Sequence, residues 1–293
     1  MKRFFFILIA VAFFNVGIAQ EIHVSNATEF LRAIGSNKTI VIEGGSVFNL
    51  TDAMIQLHEN YPKQYPMLDY YDNEKQMMSL NDKLFCLNAY DGPEIALKGV
   101  KNLTIKGEPH YLPLLLAEPR YAYIFSLYDC SNITFENVIM GHTNKGYCEG
   151  GVVFLNNCKK VNFNSCDLFG CGTEGLTANN VDGLNFSNSN IHDCSYSIMT
   201  LVSCKNFNFN NSAFFNNGVF DLINVREGNT MSIRFKNCHF FQNKGTLFSL
   251  SDSIKVEDCF ISHPIEEWGD TEIIMDNGTV WSIPSGYPHD DDD

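Results

Sequence analysis

Short stretches in which apolar and polar residues alternate recur along most of the chain. They are Leu103–Ile105, Asn132–Phe135, Val161–Phe163, Leu184–Phe186, Phe207–Phe209, Ile233–Phe235 and Ile254–Val256. Such alternation is typical of a β-strand with one buried face. From the second stretch onward, successive copies are separated by 28, 23, 23, 26 and 21 residues. The chain is therefore a repeat of about 23 residues with small insertions in its turns.

Each copy continues in the same way. A small polar residue stands two positions after the last apolar residue, and these residues are Asn137, Ser165, Asn188, Asn211, Asn237 and Asp258. Asn and Asp tolerate the left-handed backbone of a tight corner. A second apolar column follows at Met140, Leu168, Ile191, Phe214, Phe240 and Ile261. A third strand is predicted at Val153–Leu155, Leu176–Ala178, Met199–Leu201 and Leu222–Asn224. Three strands in each repeat predict a coil of stacked parallel sheets.

The repeat and its column of corner asparagines resemble the pectin-lyase-like superfamily over roughly residues 95 to 263. The resemblance implies an all-β fold, a single right-handed parallel β-helix of about 23-residue rungs. That superfamily contains lyases, hydrolases, epimerases and non-catalytic modules, so it does not define an activity. The chain lacks the aspartate cluster of pectate lyases. Gly141-His142-Thr143 matches only two residues of one polygalacturonase motif.

The sequence also divides the chain into segments. We expect the β-helix to occupy residues 20–283, with a capping helix at 26–34, where Asn26 can act as N-cap. Residues 51–92 interrupt the repeat and are expected to form an irregular loop across one face. A capping hairpin is predicted at 272–283 and a disordered acidic tail at 284–293.

The N-terminus carries the pattern of an export signal. Lys2 and Arg3 precede the apolar run Phe4–Phe14, and Ala19 offers the small residue that signal peptidase needs. The run is too short to span a bilayer. We therefore expect residues 1–19 to be a cleaved signal peptide, with a periplasmic or extracellular mature protein and no membrane span.

The charge balance bears on partners. The full chain has 20 Lys and Arg against 34 Asp and Glu, and loss of the signal leaves 18 against 34, a net charge of −16. This field repels nucleic acid, anionic lipid and polyuronates. The expected partners are a neutral glycan or a protein, and the chain is expected to be a monomer. No cofactor or metal site is predicted, although a divalent cation is left open.

Nine of the ten cysteines fall into three columns of the repeat. Cys148, Cys171 and Cys194 form one, Cys130, Cys158 and Cys204 another, and Cys166, Cys238 and Cys259 the third. They can be small apolar residues stacked inside the coil. Neighbouring pairs such as Cys130–Cys158 or Cys238–Cys259 could instead form disulfides, since the strand spacing falls within disulfide range. A metal site in the first column is a further alternative.

One corner of the coil gathers acid–base groups. The predicted catalytic residues are His142, Glu149, Glu174 and Asp193, grouped around a gap left by Gly170. Two carboxylates and an imidazole could act as general acid and base on a glycosidic bond. In the alternative interpretation His142 and Asp193 cap the backbone of turns and the two glutamates are solvated.

Predicted substrate-binding residues lie nearby in sequence. They are Arg120, Tyr121, Tyr147 and His192, which could hold a sugar but could equally serve in packing and ion pairing. The leading hypothesis is a secreted protein that binds or processes carbohydrate, as a hydrolase, lyase or epimerase if it is catalytic. The alternative is a non-catalytic module for structure, surface attachment or partner binding.

Overall fold

The computed structural model describes residues 20–69, 83–143, 150–170, 172–218, 223–226, 229–244, 248–249, 254–261, 271–275 and 280–283. The predicted signal peptide at 1–19 and the predicted acidic tail at 284–293 lie outside these residues. Within the part of the chain described, no helix is both long and apolar enough to cross a membrane.

Two helices and a series of short strands precede the regular repeat. In chain order they are β1 (Gln20–Val24), α1 (Ala27–Ala33), β2 (Lys38–Ile42), β3 (Val47–Asn49), α2 (Leu50–Asn60), β4 (Met67–Asp69), β5 (Lys83–Ala89) and β6 (Gly92–Lys98).

The repeat consists of strands of two to seven residues. They are β7 (Lys101–Gly107), β8 (Leu114–Ala117), β9 (Phe125–Tyr128), β10 (Ser131–Glu136), β11 (Ile139–His142), β12 (Val153–Asn156), β13 (Lys159–Asn164), β14 (Asp167–Phe169), β15 (Glu174–Asn179), β16 (Asp182–Ser187), β17 (Asn190–His192), β18 (Ser197–Val202), β19 (Lys205–Asn210), β20 (Ala213–Phe215), β21 (Ile223–Val225), β22 (Met231–Lys236), β23 (His239–Phe241), β24 (Phe248–Ser249), β25 (Ile254–Glu257) and β26 (Phe260–Ile261). The strands β27 (Thr271–Met275) and β28 (Val280–Ile283) follow.

The strands stack into three sheets, each taking one strand from every rung. Sheet A has the order β1-β2-β7-β10-β13-β16-β19-β22-β25-β27-β28, sheet B has β3-β8-β11-β14-β17-β20-β23-β26, and sheet C has β4-β5-β6-β9-β12-β15-β18-β21-β24. Neighbours within the repeat pair in parallel. The prediction of an all-β parallel β-helix is confirmed.

The inward side of sheet A forms a continuous stack of aromatic rings. Phe135, Phe163, Phe186, Phe209 and Phe235 are aligned on successive strands, and all are at most 1% exposed. The rings of Phe186 and Phe209 lie 5.8 Å apart, and those of Phe209 and Phe235 4.5 Å apart. Burying each such side chain contributes about 1.5–3 kcal/mol. The predicted inward column is therefore the core of the coil.

The corner between sheets A and B uses the predicted polar column. Asn137, Ser165, Asn188, Asn211, Asn237 and Asp258 all have positive φ, between 49° and 54°. Asparagine is enriched in this left-handed region because its short side chain can hydrogen-bond locally. The carboxamide of Asn188 donates to Asn164, and that of Asn237 donates to Asn211, both at 3.2 Å. The corner residues thus set the turn and link neighbouring rungs.

Both predicted caps are present. Helix α1 begins after Asn26, whose side chain accepts the main-chain N–H of Glu29 at 2.9 Å. Phe30 from this helix is fully buried and packs against Phe48 and Phe125. At the other end, β27 pairs with β25 and forms an antiparallel pair with β28. Residues 276–279, which connect the two strands, lie outside the described residues.

The expectation of an irregular loop over residues 51–92 is wrong for much of that range. Helix α2 spans Leu50–Asn60, and β5 pairs antiparallel with β6 in sheet C. Leu50, Ala53, Met54 and Leu57 are buried at helical spacing, and Asn49 caps the helix by accepting the N–H of Asp52. This apolar spacing and cap were visible in the sequence. Residues 70–82 lie outside the described part.

One strand of sheet C lies one residue later than the repeat predicts. Alignment by period placed it at Leu222–Asn224, whereas Ile223 pairs with Met199 and Val225 with Leu201. Ile223 lies 24 residues after its partner Met199, one more than the repeat, and this extra residue shifts the strand. Because side chains alternate along a strand, this shift exchanges the inward and outward positions.

Candidate functional site

The predicted catalytic corner has the register that the sequence implied. Gly141 pairs with Phe169, and Phe169 pairs with His192. The next residues, His142, Gly170 and Asp193, therefore share one column. Residues that share a column do not necessarily face the same space, however, because the side chains at a corner point in different directions.

His142 is buried inside the corner. Its side chain is 4% exposed, and its Nε2 donates to the carbonyl oxygen of Ala122 at 2.9 Å. Burial lowers its pKa and so favours the neutral ring. Among the described residues, Nδ1 has no hydrogen-bond partner. A Cβ at Gly170 would lie 3.1 Å from Val152 and 3.5 Å from His142. Among the described residues, Val152 therefore occupies the space expected to be a notch at Gly170, and His142 is enclosed.

Glu174 is also nearly enclosed. It is 9% exposed, and a carboxylate oxygen accepts a hydrogen bond from the hydroxyl of Thr200 at 2.6 Å. Thr200 is itself buried, on the next strand of sheet C. Two other predicted residues of this corner, Tyr147 and Glu149, lie outside the described residues. Two of the predicted catalytic side chains that the structure describes, His142 and Glu174, are therefore buried.

Asp193 instead belongs to a cluster on the outward side of sheet B. Its carboxylate lies 2.7 Å from Nδ1 of His192, and Asp167 lies 3.1 Å from Nε2 of the same ring. Burial lowers the pKa of His192, but the hydrogen bonds and charges of Asp167 and Asp193 outweigh it and raise the pKa above its usual value. Two acceptors require both ring nitrogens to donate, so the geometry favours imidazolium. Asp167 was not among the predicted site residues. Phe169 pairs with His192, and Asp167 lies two residues before Phe169 on the same side of the sheet, so its column is next to that of His192.

His192 is also part of a ladder of stacked rings. Phe169, His192, Phe215 and Phe241 are aligned on successive strands of sheet B, and each is partly exposed. The ring centroids are separated by 6.0, 4.6 and 4.9 Å, with interplanar angles of 20°, 6° and 8°. A Cβ at Gly141 would come within 2.5 Å of the Phe169 ring. Glycine there allows the first ring to lie over the preceding rung.

Exposed polar side chains run beside this ladder. Asn188, Asn211 and Asn237 form the rim, and Asn190, Ala213 and His239 form the adjacent column. A concavity of about 580 Å³ opens among them, and its lining also includes Ser212. Phe260 continues the second column and is 58% exposed. We call this surface the sheet B face: the four-ring ladder, the asparagine rim, and Asp167, Asn190, Ala213, His239 and Phe260.

The other predicted binding residues lie elsewhere. Main-chain N–H groups of Arg120 and Tyr121 donate to the carboxylate of Asp91 at 2.7 and 3.1 Å. The ring of Tyr121 lies 5.1 Å from that of Tyr90. Both side chains are exposed, in the turn between β8 and β9. Of the predicted binding residues that the structure describes, His192 is the one that lies on the sheet B face.

A further concavity of about 500 Å³ lies at the N-terminal cap. Its lining includes Arg32, Lys38 and Lys63, and none of the predicted site residues. Within the described residues, no group of three His, Cys, Asp or Glu side chains is arranged to hold a metal ion. Cys148 and Cys171, two members of the cysteine column considered for a metal, lie outside that part of the chain.

The fold and this face define a parallel β-helix protein with an aromatic and carboxamide surface along one sheet. Comparison with protein-family models and with curated proteins finds no match. Among solved structures, a proposed glycosyl hydrolase from Parabacteroides merdae is similar, with a TM-score of 0.42 and 10% identity over 75% of this chain and 96% of that one. An alginate lyase from Paenibacillus has a TM-score of 0.38 and 8% identity over 84% of this chain and 96% of that one. Likenesses of this strength carry no inference about activity.

Proposed function

We propose that this protein is an exported glycan-binding β-helix whose sheet B face binds a neutral, linear glycan lying along the axis of the coil. The observation that carries the proposal is the ladder of Phe169, His192, Phe215 and Phe241 beside an exposed asparagine rim. Sugars are recognised by apolar contact with their C–H faces and by hydrogen bonds to their hydroxyl groups. Aromatic rings and carboxamides provide these two kinds of contact.

The repeat of the face supports a polymer as the ligand. Adjacent strands in a sheet lie about 4.8 Å apart, so equivalent groups recur at that spacing along the axis. This is close to the length of one sugar residue in an extended chain. A linear glycan could therefore meet the same kinds of contact at each rung, and many weak contacts would add up along its length.

The charges on the face favour a neutral chain. The carboxylates of Asp167 and Asp193 are both bonded to His192, and even with a charged ring this cluster stays net negative, which repels an anionic glycan; Asn188, Asn211 and Asn237 carry no charge. The full chain carries a net charge of −14, which disfavours polyuronates. At the far end, Phe260 offers an exposed ring that could stack on a terminal sugar.

Binding is proposed in preference to catalysis because of exposure. Of the predicted catalytic residues that the structure describes, His142 and Glu174 are buried, and Asp193 has a side chain that is 35% exposed. An acid or base must reach the atom to which it transfers a proton. If the protein also cleaves its glycan, Asp193 is the predicted residue best placed to take part.

The test is a binding screen against immobilised neutral polysaccharides, with polyuronates as the charged comparison. Phe215→Ala and Asn211→Ala should each weaken binding of the best ligand by about tenfold, equivalent to about 1.4 kcal/mol. Asn208→Ala, which removes an outward carboxamide from sheet A, is the matched control and should bind normally. Equal binding by all three variants would overturn the assignment of the face. Binding of no glycan would favour the alternative of a structural or partner-binding module.

Export is part of the proposal. It is supported by the basic start and the apolar run of residues 1–19. N-terminal sequencing of the protein from the periplasm or the culture medium should begin at Gln20. A mature protein that begins at Met1 would contradict the cleavage.

A further inference from the structure

A column of small polar side chains lines the corner between sheets A and B. Cys166, Ser189, Ser212, Cys238 and Cys259 occupy the same position on successive rungs. Each side chain donates to the main-chain carbonyl two residues earlier; the distances are 2.7 and 2.8 Å for the serines and 3.2 Å for Cys259. The main-chain N–H groups of Cys166 and Ser189 donate in turn to the serine hydroxyl of the following rung.

In the last described rungs, two thiols replace the serines. The main-chain N–H of Cys238 donates to Sγ of Cys259 at 3.3 Å, as the equivalent groups do elsewhere in the column. Parallel strands lie about 4.8 Å apart, within the Cα separation that a disulfide spans. We propose that Cys238 and Cys259 are a redox-active dithiol, which low-molecular-weight disulfides oxidise to a covalent link between adjacent rungs.

The two thiols differ in a way that gives them separate roles. Cys259 is partly exposed, whereas Cys238 is fully buried. The adjacent Cys238 side chain lowers the pKa of Cys259, and its effect outweighs the opposing effect of burial. The thiolate is the reactive form of cysteine. Cys259 is therefore the attacking thiol, and Cys238 is the resolving thiol.

The reaction is a pair of thiol–disulfide exchanges. The Cys259 thiolate attacks one sulfur of the disulfide R–S–S–R, forms a mixed disulfide and expels one thiolate, RS⁻. Cys238 then loses its proton and attacks Sγ of Cys259, and the second RS⁻ leaves. The protein loses two electrons and two protons, and the small disulfide is reduced to two molecules of RSH.

The chain contains its own matched comparison. Cys130 and Cys158 are also neighbours on adjacent rungs, and the adjacent Cys130 side chain again lowers the pKa of its partner, Cys158. Both of these side chains are buried, at 1% and 0% exposure. A dissolved disulfide can therefore reach Cys259 without unfolding of the chain, but it cannot reach Cys158.

Oxidation would act at the end of the described repeat. Strand β26 has two residues and is the last strand of sheet B within the part of the chain that the structure describes. Short terminal strands open more readily than central ones. A disulfide from Cys259 to Cys238 would tie this strand to β23 and protect the end of the coil.

The experiment treats the folded full-length protein with hydroxyethyl disulfide, then denatures it with an alkylating agent and maps the peptides by mass spectrometry. We expect a linked Cys238–Cys259 peptide pair, with Cys130 and Cys158 alkylated. Cys238→Ser should stop at a stable mixed disulfide on Cys259, and Cys259→Ser should leave Cys238 unmodified. Both variants should fold, because Ser189 and Ser212 already occupy this column, and the melting temperature of the reduced proteins checks this.

Two results would overturn the proposal. One is equal reaction of the buried Cys130–Cys158 pair, which would mean that exposure does not select the site. The other is a mixed disulfide on Cys259 that persists in the unsubstituted protein, which would mean that Cys238 does not resolve it. Dithiothreitol should restore the dithiol and reverse any gain in resistance to proteolysis at the C-terminal end.

Discussion

The carboxyl group of Glu94 is hydrogen-bonded to the hydroxyl of Ser126, and both side chains are almost completely buried. A second oxygen of Glu94 accepts the main-chain N–H of Tyr123 at 2.8 Å. Burial raises the pKa of Glu94 from 4.5 to about 7 and outweighs these hydrogen bonds, which lower it. The folded chain therefore binds a proton at Glu94 more tightly than the unfolded chain does.

This difference predicts how stability depends on pH. Because the folded state favours the protonated carboxyl group, the free energy of unfolding should fall as pH rises from about 4.5 to about 7, and by at most about 3 kcal/mol. Glu94→Gln mimics the protonated group, since its carbonyl can accept from Tyr123 and its amide can donate to Ser126. The variant should gain stability relative to the unsubstituted chain at pH 8 and not at pH 4. Urea unfolding at both pH values measures this; an equal difference at the two values would contradict it.

A second pH effect is predicted at His192, where the titrating group is a base and not an acid. Its pKa is raised in the folded state, so the contribution of the imidazolium is fully present below the unfolded pKa of about 6.5 and is lost as pH rises through the folded value. His192→Phe keeps a ring between Phe169 and Phe215 but removes both hydrogen bonds. The stability advantage of the unsubstituted chain over this variant should shrink between pH 6 and pH 8, as followed by melting temperature. An unchanged advantage would show that the bonds to Asp167 and Asp193 do not depend on ring charge.

The aromatic stack predicts a large cost for truncating one ring. Phe209 is fully buried between Phe186 and Phe235, so Phe209→Ala should reduce the free energy of unfolding by about 3–5 kcal/mol. Denaturant unfolding provides the measurement. The neighbouring Asn208→Ala, on the outward side of the same strand, should cost about 1 kcal/mol or less. Similar losses for both variants would mean that the stack is not continuous.

The corner predicts a loss of stability whose size depends on the replacement residue. Asn188 has a φ of 53°, a conformation that costs most residues about 1–2 kcal/mol. Asn188→Ala should therefore destabilise the chain, whereas Asn188→Gly should cost less because glycine adopts this conformation freely. Melting temperatures of the two variants test this order. Alanine equal to glycine would show that the hydrogen bond to Asn164, and not backbone conformation, makes asparagine useful here.

Much of the fold followed from the sequence because the repeat makes each rung bury the same positions. Phe135 and Phe163 could be aligned from their spacing alone, since an inward residue on one rung lies next to its equivalent on the next. The same logic failed at Ile223, where an added residue broke the period. It also missed α2, because a helix that occurs once has no copy in the chain with which to compare it.

At the candidate site, the sequence predicted which residues share a column but not which of their side chains are exposed. Spacing correctly placed His142, Gly170 and Asp193 in one column, but that column contains a buried ring at one position and a partly exposed carboxylate at another. The direction of a side chain at a corner depends on local backbone angles and on what fills the adjacent space, as Val152 does beside Gly170. Asp167, His192 and Asp193 meet because of those details.

The sequence by itself determined the repeat, the three-strand rung, the inward columns and the residues that turn the corner. Each of these follows from local rules: alternation within a strand and the backbone preference of asparagine. Only the tertiary structure decided which outward side chains form a surface, how the rings of His192 and Phe215 stack, and which thiol of the Cys238–Cys259 pair meets solvent. Those outcomes depend on contacts between rungs and on exposure. Neither can be predicted from the sequence of a single repeat.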